Sequence, residues 1–256
     1  MKYLESLRNN IIKQTISLAD KKNRDKTGLF VLEGERLVGE VPPEMIEYAI
    51  VSESYNGSYP NTGNIYLTSD NIFKQFSDTV NPQGIVAVCK EFSYNPDDAF
   101  ICETPLFVIL ENLQDPGNLG TIIRTADAAG ADGVFLSKGT VDLYNPKVVR
   151  STMGSIFHLP VYVGVDIEDI IIKCKKHNIS TYAAHLGGVN TPYNAKLYKP
   201  SAILIGNEAN GLTPQTATMA DELLRIPMPG KAESMNASVA AAIMIYEAVR
   251  QRLEVD

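Results

Sequence analysis

Along the first third of the chain, apolar positions come in short bursts that alternate between helical and strand spacing. Leu7, Ile11, Ile12, Thr15, Ile16 and Ala19 fall on one face of a helix predicted over 6–20. The charged run Lys21-Lys22-Asn23-Arg24-Asp25-Lys26 then leads to Gly28, a stop signal. Apolar runs at 29–32, 48–51, 65–67 and 85–88 predict short strands, with helical stretches near 35–40 and 69–76. These make a small α/β domain over residues 1–92. Residues 93–104 lose periodicity, carry Pro96 and an acidic pair, and read as a linker. From Pro105 the texture changes. Strand-like runs at 106–110, 134–136, 159–163, 180–183 and 202–205 alternate with longer helical segments. That alternation predicts, for 105–256, an α/β fold with a mostly parallel sheet covered by helices on both faces. Ligands of such sheets sit beyond the C-terminal ends of the strands, so the loops there are where chemistry is expected.

Composition changes this picture little. Hydrophobic content of 45% with 21% charged residues is that of an ordinary globular chain. No window is apolar and long enough for a membrane span, and the start Met1-Lys2-Tyr3-Leu4-Glu5 lacks a secretory leader, which predicts a cytoplasmic protein. The cysteines Cys89, Cys102 and Cys174 are dispersed and form no CxxC pair, and His158, His177 and His185 are scattered, so no metal is expected. The net charge of −7 disfavours a nucleic-acid partner, but its distribution is uneven: residues 1–26 hold seven cations against three anions. On charge alone that stretch reads as a solvated helix face.

Three loops carry candidate chemistry, the first two directly after predicted strands. In the first, Glu111 to Gly120, Asn118 is a candidate N-cap for a helix from about residue 119 to 129, and Arg124 lies one to two turns in. It is not a GxGxxG loop, so a dinucleotide fingerprint is missing. In the second, Gly206 and Gly211 bracket Asn207 and Glu208, placing a carboxylate at a strand end. In the third, Pro227, Pro229 and Gly230 hold a non-helical loop, and Ser234, Asn236 and Ser238 stand at the mouth of an alanine-rich helix. One at a time, each reads as a capped turn or a packed helix.

Their joint order resembles the SpoU (TrmH) family of RNA ribose 2′-O-methyltransferases in the SPOUT group. The first motif of that family resembles Asn112 through Arg124. The second resembles Ile205-Gly206-Asn207-Glu208 with Gly211-Leu212, and the third Ile226-Pro227-Met228 followed by Ser234 through Ala240. Residues 147–160 are similar to a further stretch of many members. The resemblance implies a C-terminal trefoil knot, one of the known exceptions to unknotted topology. It also implies S-adenosylmethionine bound by Leu204, Ile205, Gly206, Asn207, Ile226, Met228, Ser234 and Met235, and a homodimer pairing through the knot region. The stretch 21–38 resembles the RNA substrate-binding domain of larger members, which makes Lys21, Lys22, Arg24 and Lys26 candidate RNA contacts. Arg150 is open between an RNA phosphate contact and a structural ion pair.

For catalysis the resemblance points to Arg124, Asn118, Glu208, Ser234 and Asn236. Arginine is too hard to deprotonate to serve as a base, so Arg124 is expected to clamp a phosphate and stabilise the developing alkoxide. Asn118, Ser234 and Asn236 are expected to orient the ribose. Glu208 is open between a base and a carboxylate that braces the loops. The N-terminal domain favours ribosomal RNA of the large subunit over tRNA, and the presence of Asn118, Arg124, Ser234 and Asn236 favours an enzyme over a catalytically inactive RNA-binding dimer.

Overall fold

The computed structural model describes residues 1–254. The chain packs as two compact units, residues 1–93 with 142–157, and residues 94–141 with 158–256.

The first unit begins with a short strand, β1 (Lys2–Leu4), for which the sequence shows no apolar run. The helix expected over 6–20 is two helices. Asn9 accepts the Ile11 amide at 2.9 Å and starts α1 (Asn10–Ser17). Asp20 accepts the Lys22 amide at 3.0 Å and starts α2 (Lys21–Thr27), so the charged run is itself helical, and Gly28 ends it at φ 64°. Then follow β2 (Leu29–Glu33), α3 (Glu35–Gly39), β3 (Ile46–Ser52), β4 (Ile65–Thr68), α4 (Asp70–Phe76) and β5 (Ile85–Lys90). The sheet order is β1-β4-β3-β5-β2, parallel on the β1 side and antiparallel from β3 through β5 to β2. Leu4, Ile12, Leu18, Leu29, Tyr48, Ile50 and Val88 form a core on one face of it.

Residues 142–157 pack in this unit, although they follow part of the second unit in sequence. Asp142 accepts from the Arg24 guanidinium at 2.5 and 3.1 Å, and the same guanidinium donates to the Leu18 and Ala19 carbonyls. Arg24 is 3% exposed. This overturns its expected RNA contact: the side chain is consumed inside the fold. The Tyr144 hydroxyl accepts the Phe92 amide, and its ring lies 4.6 Å from that of Phe30.

The second unit contains β6 (Leu106–Leu110), α5 (Pro116–Ala128), β7 (Gly133–Ser137), β8 (Val161–Val165), α7 (Ile167–Lys176), β9 (Ser180–Ala184), β10 (Ser201–Ile205), α8 (Pro214–Met219), β11 (Glu222–Leu224) and α9 (Ala237–Leu253). A further α-helix, α6 (Pro146–Thr152), belongs to the first unit. The six strands are all parallel, in the order β11-β9-β10-β6-β7-β8. β6, β7 and β10 are buried along their whole length, as strands covered on both faces must be. Ile167, Ile170, Ile171 and Cys174 of α7 pack on Phe107, Ile109, Phe135 and Leu204. α5 and α9 pack together, and α9 also meets β10. The chain runs outward from β6 through β7 to β8, and its later strands lie on the other side. The switch point therefore falls between β6 and β10, where open sheets of this type bind ligands.

Candidate active site

The strand ends beside that switch point carry loops locked together by side chains. Glu111, 6% exposed at the end of β6, accepts the Thr213 amide at 2.7 Å and the Thr216 hydroxyl at 2.5 Å. It thereby ties the loop after β6 to the start of α8. The Asn207 side chain donates to the Asn112 carbonyl at 2.8 Å and accepts the Ala209 and Asn210 amides. Asn112 itself adopts φ 53°, a left-handed turn that asparagine tolerates. Gln114 donates to the Gly139 carbonyl and so reaches the loop after β7.

A polar chain runs across these loops. The Glu208 carboxylate accepts the Gln114 amide (3.0 Å), the Asp115 amide (2.9 Å) and Asn118 Nδ2 (3.0 Å). Asn118 Oδ1 accepts Asn236 Nδ2 at 2.9 Å. Asn236 Oδ1 in turn caps α9 by accepting the Ser238 and Val239 amides and the Ser238 hydroxyl. Partial burial alone would raise the Glu208 carboxyl, but the bonds from Asn118, Gln114 and Asp115 outweigh it and hold the group below the usual carboxylate range. The N-cap of α5 is Asp115, which accepts the Asn118 amide at 2.8 Å, and the helix starts at Pro116. This corrects the cap expected at Asn118: an Asp-Pro step supplies both a capping carboxylate and a residue preset for N1. Asn118 sits inside the first turn, with its side chain freed to join Glu208 to Asn236.

Beside this chain lies a cleft of about 360 Å³, within the size range of small-molecule sites. Ile205, Leu224, Ile226, Met228 and Met235 give it apolar walls, and Gly206, Asn207, Glu208 and Ser234 supply its polar edge. Gly206 admits no side chain. A Cβ there would stand 2.1 Å from the Gly211 carbonyl carbon and 2.2 Å from the Leu212 nitrogen. The cleft is thus backbone-rich at one end, and a small molecule with both apolar and polar parts suits its lining.

Of the residues expected around a cofactor, Ile205, Gly206, Asn207, Ile226, Met228, Ser234 and Met235 line the cleft. Leu204 does not; it is wholly buried in β10 against α7. Glu208 lines the cleft, whereas Asn118 and Asn236 stand behind it in the polar chain. Arg124 is exposed on α5, outside the lining, with no hydrogen-bond or ion-pair partner among the described residues. Lys21 pairs with Asp25 at 2.6 Å, Lys22 and Lys26 are exposed, and Arg150 pairs with Asp78 at 2.5 Å. Sequence reasoning misses Ala184, His185 and Leu186, which also line the cleft. The signal for them is position: they stand at and just beyond the C-terminal end of a parallel strand. His185 Nδ1 accepts the Gly187 amide at 3.0 Å, which places a neutral ring's proton on Nε2.

Burial pushes the Cys89 and Cys174 thiols up to about 12, so neither is a nucleophile near neutral pH. Among the described residues no group of histidine, cysteine and acidic side chains forms a metal site, and no helix is long and apolar enough to cross a membrane.

The chain is similar to known proteins over both units. Residues 105–246 match the SpoU rRNA methylase family, and residues 9–87 match an MRM3-like substrate-binding domain. The chain is 38% identical over 251 residues to the 23S rRNA (guanosine(2553)-2′-O)-methyltransferase RlmP of Bacillus subtilis, covering 96% of this chain and 98% of that one. The crystal structure of an AdoMet-bound rRNA methyltransferase from Sinorhizobium meliloti is similar at a TM-score of 0.87 and 34% identity, covering 97% of each chain. The SpoU methyltransferase AviRb from Streptomyces viridochromogenes, solved with AdoMet, matches at a TM-score of 0.86 and 28% identity, over 96% of this chain and 99% of that one.

Proposed function

The chain belongs to the SpoU rRNA methylase family, and from that premise we propose that it methylates a ribose 2′-hydroxyl of 23S ribosomal RNA, at a guanosine. The observation that carries the target is the similarity to the Bacillus subtilis enzyme over both units rather than over the methyltransferase part alone. The chain is an S-adenosylmethionine-dependent RNA methyltransferase. The cofactor supplies an electrophilic sulfonium methyl, and the cleft between Gly206 and Met235 would hold it.

The new bond joins the ribose oxygen to the methyl carbon, the sulfur–methyl bond breaks, and the hydroxyl proton leaves with solvent or an RNA phosphate. Glu208 braces the loops rather than taking that proton; its three donors and its depressed pKa support this reading. Asn236 has its oxygen on the α9 cap and its amide on Asn118, which supports a positioning role for both asparagines. Ser234, exposed at the cleft rim, orients the ribose. Arg124, exposed and unpaired among the described residues, clamps an RNA phosphate and offsets the charge that develops on the attacking oxygen. Lys22 and Lys26, exposed one turn apart on α2, face RNA from the first unit.

A trefoil knot formed by the loops 206–213 and 225–236 is part of this reading. It is supported by the path of the chain: β11 is at the sheet edge, while the next element, α9, packs on β10 and α5. A homodimer is supported by an apolar stripe on α9, where Val239, Tyr246 and Leu253 are 48%, 49% and 73% exposed at helical spacing. A cytoplasmic location belongs to the same reading. Incubation with labelled S-adenosylmethionine and separate rRNA and tRNA fractions tests the target. Label is expected in the large rRNA, and label confined to tRNA would overturn it.

A further inference from the structure

The lining of the second unit's cleft is uneven in charge. His185, Glu208 and Glu233 are its ionisable residues, and no lysine or arginine is among them. His185 accepts the Gly187 amide on Nδ1, as an uncharged ring does. The Glu208 carboxylate is already answered by two backbone amides and the Asn118 side chain. Glu233 differs from both. Its side chain is exposed and has no hydrogen-bond or ion-pair partner among the described residues. Ser234, its neighbour in the chain, also lines the cleft, so the free carboxylate shares a rim with the residue assigned above to the ribose.

A sulfonium methyl donor carries one positive charge more than the thioether that remains after transfer. The electron pair of the sulfur–methyl bond stays on sulfur, and the charge there disappears. A lining with a free carboxylate and no cation holds these two forms unequally, because Coulomb attraction to the sulfur acts on the donor alone. We infer that Glu233 is a specificity-determining residue of this site, facing the sulfonium of the methyl donor and favouring it over the demethylated product. The inference rests on the methyltransferase reading above, in which the methyl lies beside Ser234 for a ribose hydroxyl to reach it. Since the charge is being lost as the methyl moves, the contact serves loading of the donor and release of the product rather than the chemical step.

Calorimetric titration of the full chain with three ligands tests this. S-Adenosylmethionine carries the sulfonium, S-adenosylhomocysteine is the neutral thioether, and in sinefungin a protonated amine takes the place of the sulfonium methyl. An exposed carboxylate–cation pair is a modest contact, so E233Q is expected to weaken S-adenosylmethionine and sinefungin about three- to fivefold. S-Adenosylhomocysteine should keep its wild-type affinity. E233D, which retains the charge, should restore most of the difference between the charged and neutral ligands. Added salt should shrink that difference in the wild type and leave it unchanged in E233Q. An equal loss for all three ligands would make Glu233 a structural part of the rim or a partner of the amino-acid end that they share, and unchanged affinities would remove it from the site. Either result overturns the inference. If the wild-type chain bound none of the three, the cofactor reading itself would fall; if it bound them and E233Q kept the wild-type ratios, the role of Glu233 alone would fall.

Discussion

Glu208 holds three donors at once, two backbone amides of the loop after β6 and the side chain of Asn118. Its depressed pKa makes a contribution to stability that is complete above the ordinary glutamate value of 4.5 and is lost as pH falls below it through the folded-state value. Glu208→Gln replaces an acceptor by a donor facing those amides. It is expected to lower the melting temperature at pH 7 and to remove part of the acid-induced loss of stability seen in the wild type; thermal melts from pH 7 to pH 3 check this. Methyl transfer should fall with cofactor affinity, while the shape of its pH–rate profile near neutrality stays that of wild type. A missing acid limb in the variant would return Glu208 to proton transfer. At Arg124 the expectation is the converse. Arg124→Ala should lose about 10²–10³ in turnover with cofactor affinity within a few-fold of wild type, read by single-turnover kinetics beside calorimetry. At this scale the sequence is most legible where a residue's role is its backbone. Ile205, Gly206, Ile226 and Met228 line the cleft because strands end there. It is least legible where the role depends on a distant partner: nothing near Arg24 in sequence announces Asp142, which buries the guanidinium.

Among the elements, α5 shows how a wrong cap leaves a right helix. The stretch is periodic enough to read as a helix, but Asn118 resembles its start because an asparagine oxygen can accept an orphan helical N–H. The Asp115-Pro116 step sets the start three residues earlier, and Asn118 becomes a bridge inside the first turn. Asp115→Ala should therefore cost about 1 kcal/mol as a lost cap. Asn118→Ala should cost more, because it strands both Glu208 and Asn236; denaturant midpoints compare the two. The expected helix 6–20 breaks in two for a related reason: Asp20 caps a new helix, and amphipathic spacing alone does not register a cap. The loop after β10 is constrained harder. Gly206→Ala brings a methyl onto the Gly211–Leu212 peptide, and overpacking of this kind costs about 1–3 kcal/mol. Calorimetry should find cofactor binding lost in a chain that still melts cooperatively.

Over the whole molecule, the parallel sheet is legible because β6, β7 and β10 are unbroken apolar runs that only double-sided burial explains. The membership of 142–157 in the first unit is not, since the long-range interactions that hold it leave no local pattern. The anchor is the buried Arg24–Asp142 pair. Removing one partner of such a pair costs about 3–5 kcal/mol, whereas replacing both by apolar residues of similar size can be neutral. Asp142→Ala is thus expected to destabilise the first unit sharply, with R24M/D142L far milder, as hydrogen exchange of β2 and β5 amides would report. On the proposed function, the first unit contacts the RNA and the second carries the cleft for the methyl donor.

The most direct test of that account is an alkaline-hydrolysis ladder of 23S rRNA incubated with the protein and S-adenosylmethionine, beside the same RNA without cofactor. A ribose 2′-O-methyl blocks cleavage at its own phosphodiester, so one missing rung at a guanosine is the expected result. An unbroken ladder, with methyl label on a base or on tRNA alone, would contradict it.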